Sequence, residues 1–124
     1  MSSDNEVEKE IQAKGLTAAR ITPADIQKSI ASEHCFTAYD AAKAGRITRD
    51  EPANSDALKL LTICVLVLQN GFTVTGESAC ASPENFDAEL GRTIARRNAE
   101  AKIWPLLGYT LKDYLHYNRV MEST

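Results

Sequence analysis

Leu60–Cys80 reads LLTICVLVLQNGFTVTGESAC, and the fold turns on how this stretch is read. Two strand-like runs flank Asn70-Gly71. That dipeptide predicts a two-residue hairpin loop, because a type I′ turn needs φ > 0 at both central residues. The register then sets Gln69 against Phe72, Val67 against Val74, Val65 against Gly76 and Cys64 against Glu77, with Cys80 opposite Leu61. Side chains alternate along a strand, so Cys64 and Cys80 project to opposite faces, and both are expected as free thiols.

The two strands differ in character. Ile63–Leu68 is apolar on both faces. In Phe72–Ser78, Phe72 and Val74 share one face, and Thr73, Thr75 and Glu77 share the other. A strand apolar on both faces needs cover on both sides. One or two helices over a hairpin supply only one cover. The N-terminal segment or a second subunit must supply the other, and a homo-oligomer is the expectation.

Upstream, residues 1–20 are polar, with weak helical character at Val7–Ala13, and read as a flexible leader. The single domain then covers 21–124. Thr22-Pro23-Ala24-Asp25 has the form of a helix start, with Thr as N-cap, Pro in the first turn and an acid behind it. Ile26 and Ile30 extend that helix to about Ser32. Glu33–Ala38 is either a short extended segment or the helix exit. Tyr39–Lys43 predicts a further helical turn ending at Gly45, and Gly45–Ser55 reads as an exposed loop.

Downstream, Ser82-Pro83-Glu84-Asn85 predicts the start of a long helix reaching about Trp104, where Pro105 imposes a kink or an end. Gly108 ends any continuation. Thr110-Leu111-Lys112-Asp113 starts a short final helix to about Asn118. At about 100° per residue, Phe86, Leu90, Ile94, Ala101 and Trp104 form one stripe, the expected core face against the hairpin. Arg97 projects into that stripe and must snorkel, pair with a carboxylate or meet a ligand. Ala88, Gly91, Ala95 and Ala99 form a second stripe of small residues. It suits close approach of a helix from the same chain or from another subunit. Arg92 and Arg96 flank it at i, i+4. They either pair with Glu89 and Glu100 at helix spacing or present guanidinium groups to a phosphate. The helix start Ser82–Phe86, Asn85 included, either caps itself or offers N–H groups to an anion.

A net charge of −3 over 124 residues argues against a general binder of long nucleic acid, which would be basic. It leaves room for a locally basic pocket. The longest apolar run, Ile63–Leu68, is too short to span a bilayer. Three unclustered cysteines suit a reducing compartment. His34 and Cys35 are adjacent, and neither has a partner at zinc-site offsets. No glycine-rich phosphate loop, GxSxG elbow or HExxH occurs. No catalytic residue, metal ligand or cofactor is therefore assigned, and the chain is not expected to be an enzyme.

From Asn70 the run NGFTVTGESACASPENFDAELGRTIARRNAEAKIWPLLGYTL resembles a family of small bacteriophage accessory proteins of the N4 and Sf6 type. The ordered elements are the NGF turn, the GESAC strand, the SPENFDAELG helix start and the KIWPLLGY ending. The upstream ITPADIQKSIASEHCFTA resembles that family's N-terminal helix and following segment. The family is in turn similar to the anti-Thoeris sponge proteins of phages. That resemblance implies oligomers in the host cytoplasm that sequester nucleotide immune signals, such as cyclic ADP-ribose isomers, without cleaving them.

The expectation is thus an α+β fold: an N-terminal helix, an antiparallel hairpin with an Asn-Gly turn, a long C-terminal helix and a short final one. Its partners would be a phosphorylated nucleotide and further copies of itself. Residue chemistry nominates Arg92, Arg96 and Arg97 for phosphates, Phe72, Phe86 and His34 for stacking, and Asn85 at the helix start. The competing expectation is an accessory protein that inhibits a host protein through the hairpin or the tyrosine-rich end (Tyr109, Tyr114, Tyr117).

Overall fold

The computed structural model of the chain describes residues 2–16, 18–45 and 55–123. They fall into two compact units, one running from Ile30 to Lys102 and the other made of the segments before and after it. The fold is α+β, with an N-terminal helix, a three-stranded antiparallel sheet and a long helical C-terminal region.

The central unit is built on a sheet of order β1-β2-β3, with β1 Ile30–Thr37, β2 Leu61–Leu68 and β3 Thr73–Ala79. Helices α3 (Ala38–Gly45) and α4 (Ser55–Lys59) connect β1 to β2 around residues 46–54, where most of the loop expected at Gly45–Ser55 falls outside the described residues. Thr37 Oγ1 accepts the N–H of Asp40 at 3.1 Å and opens α3 as a cap. After β3 comes a short 3-10 turn, Pro83–Asn85, and then α5, Ala88–Ala101.

The hairpin forms where Asn70-Gly71 places it, but its loop has three residues. Gly71 N–H donates to Leu68 C=O at 2.9 Å, and Leu68 N–H donates to Phe72 C=O at 2.8 Å. Gly71 takes φ +89, and Asn70 Oδ1 accepts the Phe72 N–H at 2.9 Å. This has the pattern of a turn followed by a left-handed glycine. It slips the register by one from the expected pairing: Val67 faces Thr73, Leu66 faces Val74, Cys64 faces Gly76 and Leu61 faces Ala79. Thr62, Cys64, Leu66 and Leu68 are the buried side of β2, and Val74 and Gly76 continue it on β3.

That side lies under α5, and Gly76 explains the seat of the helix. A Cβ there would stand closer than 3.0 Å to Ala95 O, Ala99 N and Asn98 C, all backbone atoms. The helix backbone therefore rests on the strand. Only small residues on α5 permit this, and Ala95 and Ala99 are fully buried. Gly91 sits over Thr62, where a Cβ would meet the Thr62 side chain, Oγ1 at 2.9 Å, and not its backbone. This corrects the expected core stripe: Gly91, Ala95 and Ala99 face the sheet, whereas Ala88 is exposed, Leu90 is 55% exposed and Arg97 lies on the outer side. On the β3 flank, Asn98 Nδ2 donates to Glu77 C=O at 2.8 Å and satisfies an acceptor of an edge strand.

The start of α5 also differs from expectation. Ser82 provides no side-chain cap. Asp87 is the N-cap, its Oδ1 accepting Leu90 N–H at 3.0 Å, so α5 begins five residues after Pro83. Its C-cap is Lys102.

β1, read as either extended or a helix exit, is a full strand paired with β2. Cys35 lies directly opposite Cys64, and the two form a disulfide. The expectation that Cys64 and Cys80 are both free thus holds for Cys80 alone. The reason is β1, which brings Cys35 beside Cys64 across the sheet.

The second unit contains α1 (Ser2–Ala13), α2 (Pro23–Ser29) and α6 (Ile103–Glu122). Thr22 and Asp25 form a reciprocal cap: Thr22 Oγ1 accepts Asp25 N–H at 3.2 Å, and Asp25 Oδ2 accepts Thr22 N–H at 2.9 Å. The helix ends at Ser29, short of the expected Ser32, because Ile30 enters β1. In α6, neither Pro105 nor Gly108 ends the helix. Pro105 falls in the first turn, where its missing N–H has no helical acceptor to lose, and Gly108 costs only about 1 kcal/mol against Ala. Among the described residues no helix is long and apolar enough to cross a membrane.

Candidate functional site

Arg92 and Arg96 leave the sheet-facing stripe of α5 on one flank. Arg96 is held twice: Nε donates to Glu33 Oε1 on β1 at 2.8 Å, and Nη1 pairs with Glu100 one turn on. Glu100 is buried, with 7% of its side chain exposed, so the guanidinium compensates a charge that burial would otherwise penalise. Arg92 lies one turn before Arg96 on the same flank and is exposed. Arg97 is exposed on the outer side, and among the described residues neither the Arg92 nor the Arg97 side chain makes an ion pair or hydrogen bond.

The other nominated residues are dispersed across this unit. His34 is exposed on β1 with its ring Nε2 3.0 Å from Ser32 Oγ. It alternates with Glu33 and Cys35, so it projects from the sheet face away from Arg96. Phe72 is 54% exposed at the hairpin loop. Asn85 and Phe86 precede α5, near the opposite end of the hairpin, since Gly91 sits over Thr62. Thr62 to Leu68 spans roughly 20 Å of strand. Within one chain, therefore, Phe72 and Phe86 lie toward opposite ends of the hairpin, and His34 projects from the sheet face away from Arg96.

Two constellations escaped the sequence. Glu33, Cys35 and Cys64 offer a carboxylate and two sulfurs within 4.8 Å of one another. The cysteines are 29 residues apart in sequence, so local spacing could not pair them; reading β1 as a strand would have. The other is a cleft of about 290 Å³ in the second unit, lined by Val7, Ile11, Ile21, Pro23 and Trp104 with Asp4 and Glu8. Glu8 holds Arg20 in a two-point contact at 2.5 and 2.8 Å. The Arg20 hydrogen bonds pull the Glu8 carboxyl down to about 2, and Gln12 adds to the effect. The same pairing raises Arg20. Val7 and Ile11 at i, i+4 were the signal that α1 has an apolar side.

The fold defines a small α+β protein in which one helix, carrying three arginines, lies directly on a three-stranded antiparallel sheet. Residues 21–115 match the phage protein (N4 Gp49/phage Sf6 gene 66) family, and the chain belongs to it. No curated protein and no solved structure matches the chain.

Proposed function

We propose that this phage-family protein captures a small phosphorylated nucleotide, a cyclic nucleotide or cyclic ADP-ribose type immune signal, and sequesters it uncleaved in the host cytoplasm. The observation that carries this reading is the arginine row of α5. Arg92 and Arg97 are exposed without carboxylate partners among the described residues, and Arg96 is fixed beside Arg92 by Glu33 and Glu100. Guanidinium groups match phosphate oxygens in a two-point geometry. The aromatic candidates are dispersed within one chain, Phe72 and Phe86 toward opposite ends of the hairpin and His34 on the other sheet face. A base would therefore stack on Phe72 or Phe86 of a second copy, and the reading includes a homo-oligomer with the pocket between copies. No catalytic residue is assigned to it.

The test is a thermal-shift series of the full chain with cyclic ADP-ribose isomers and cyclic dinucleotides. Ligand at about a hundredfold above Kd stabilises by about 2.7 kcal/mol, which is on the order of 10 °C for a chain of this size. The bound ligand is then released by heat and chromatographed. The reading predicts a shift and intact ligand. Absence of any shift opposes capture, and a degraded ligand indicates an enzyme.

One observation favours a second reading, inhibition of a host protein. α6 exposes Tyr109, Tyr114, Tyr117, Val120 and Met121, and tyrosine and methionine are enriched where proteins meet. Under this reading no nucleotide shifts the melt, and Tyr109→Ser with Tyr117→Ser releases a host protein that the wild type retains.

A further inference from the structure

The side of β1 that faces α5 carries a further chemistry, joined to the arginine row only through Arg96. Glu33 and Cys35 alternate on that side, and Cys64 lies opposite Cys35 on the central strand. Their donor atoms all lie within 4.8 Å of one another. Glu33 is prepared as a ligand. Its Oε1 accepts Arg96 Nε at 2.8 Å, while Oε2 lies 4.0 Å from Cys35 Sγ. Arg96 is itself fixed by the buried Glu100. A carboxylate held through one oxygen, with the other aimed at two sulfurs, has the form of a metal ligand with its supporting shell already in place.

From this geometry we infer that Cys35, Cys64 and Glu33, once the disulfide is reduced, form a three-ligand site for zinc or a similar thiophilic divalent cation. Cellular thiols open the S–S bond by exchange: two thiols become one small disulfide, and each protein sulfur gains one electron and one proton. Cation binding then releases both sulfur protons, leaving two thiolates and a carboxylate as donors. Tetrahedral zinc holds sulfur at about 2.3 Å and oxygen at about 2.0–2.2 Å, so the two sulfurs would sit about 3.7 Å apart. Rotation of the two cysteine side chains would open the sulfurs to that spacing with the strands left paired, the donor atoms already lying within 4.8 Å of one another. A water completes the fourth position. The two thiolates, Glu33 and Glu100 outweigh the Arg96 charge, so a dication is electrostatically favoured. Cys64 is fully buried, whereas Cys35 is half-buried and Glu33 exposed, so entry is from the β1 edge. The disulfide and the cation exclude one another, which makes binding conditional on reductant.

The experiment takes the full chain, reduced with a trialkylphosphine and freed of metal, and titrates it with Co²⁺ and then Zn²⁺. The site predicts a thiolate-to-cobalt charge-transfer band that saturates at one ion per chain and is bleached by zinc. The oxidised chain should give no band. Cys35→Ser should abolish it, Cys80→Ser should leave it unchanged, and Glu33→Gln should weaken affinity by at least about tenfold while the thiolate band persists. Circular dichroism of each variant without metal establishes that it is folded. A reduced wild type with no band overturns the inference. So does a band that survives Cys35→Ser, or a disulfide that resists reduction in the folded chain.

Discussion

Gly76→Ala tests the contact that seats α5 on the sheet. The added methyl meets Ala95 O, Ala99 N and Asn98 C at under 3.0 Å. These are backbone atoms of a helix, and no rotamer change removes them. The helix must retreat by on the order of 1 Å, and a gap of that size forfeits a quarter to a half of the dispersion energy at each contact it opens. Ala95 and Ala99, both fully buried, lose most. Overpacking of a close-packed layer adds about 1–3 kcal/mol, so the total should reach about 3 kcal/mol or more. Urea unfolding followed by circular dichroism reads this as a midpoint about 1.5 M lower at unchanged slope, for a slope near 2 kcal/mol/M. Gly91→Ala is the matched control. Its methyl meets Thr62 Oγ1 at 2.9 Å, a side-chain atom, and alanine gains about 1 kcal/mol of helix propensity. Its net effect should stay within about 1 kcal/mol. If Gly76→Ala falls within 1 kcal/mol of wild type, or Gly91→Ala costs as much, close backbone approach is not what positions the helix.

Three further outcomes follow from the charges and the disulfide. Arg96→Met strands the Glu100 carboxylate in its buried position, so it should cost about 2–3 kcal/mol in the same unfolding assay, below the full value for a buried pair because Arg96 is partly exposed. Adding Glu100→Met should recover most of that loss. The folded-state pKa of Glu8, about 2, lies below its ordinary value of 4.5; its contribution is therefore complete above about pH 4.5 and is lost as pH falls through 2. Arg20→Met should bring the Glu8 carboxyl back toward 4.5 in a ¹³C NMR titration. Reducing the Cys35–Cys64 bond in metal-free buffer should lower stability by about 3–4 kcal/mol, from the loop-closure entropy of a 29-residue separation, and equal melts with and without reductant would contradict this.

The sequence carried the local signals and missed the tertiary ones. Asn70-Gly71 marked the turn, and Thr22-Pro23-Ala24-Asp25 marked a helix start that the reciprocal Thr22–Asp25 cap realises. The register went astray by one because a three-residue loop and a two-residue loop use the same Asn-Gly pair, and a slip of one exchanges the faces. β1 was ambiguous because Ser32, Glu33 and His34 are exposed on an edge strand, so no hydrophobic alternation announced it. The Cys35–Cys64 bond and the Glu33–Arg96 pair were lost with it. The sheet-facing side of α5 is hidden in the sequence for a different reason. Hydrophobicity favours Leu90 and Ile94 as core, but the glycine on β3 demands a helix face without bulk, and only the packed pair shows that. Arg92, Arg96 and Arg97 were legible as candidates on one helix. The dispersal of Phe72, Phe86 and His34 depended on strand direction and register, which composition does not encode.

Isothermal titration of the full chain with the cyclic nucleotide that gives the largest thermal shift, beside Arg92→Ala combined with Arg97→Ala, tests the proposed capture most directly. These two arginines are exposed and unpaired among the described residues, so their removal leaves the Arg96–Glu100 pair and the fold in place. The account predicts saturable binding by the wild type and a loss of at least about a hundredfold in the double variant, the equivalent of two charge-assisted phosphate contacts. Undiminished affinity in a double variant that melts like the wild type would contradict it.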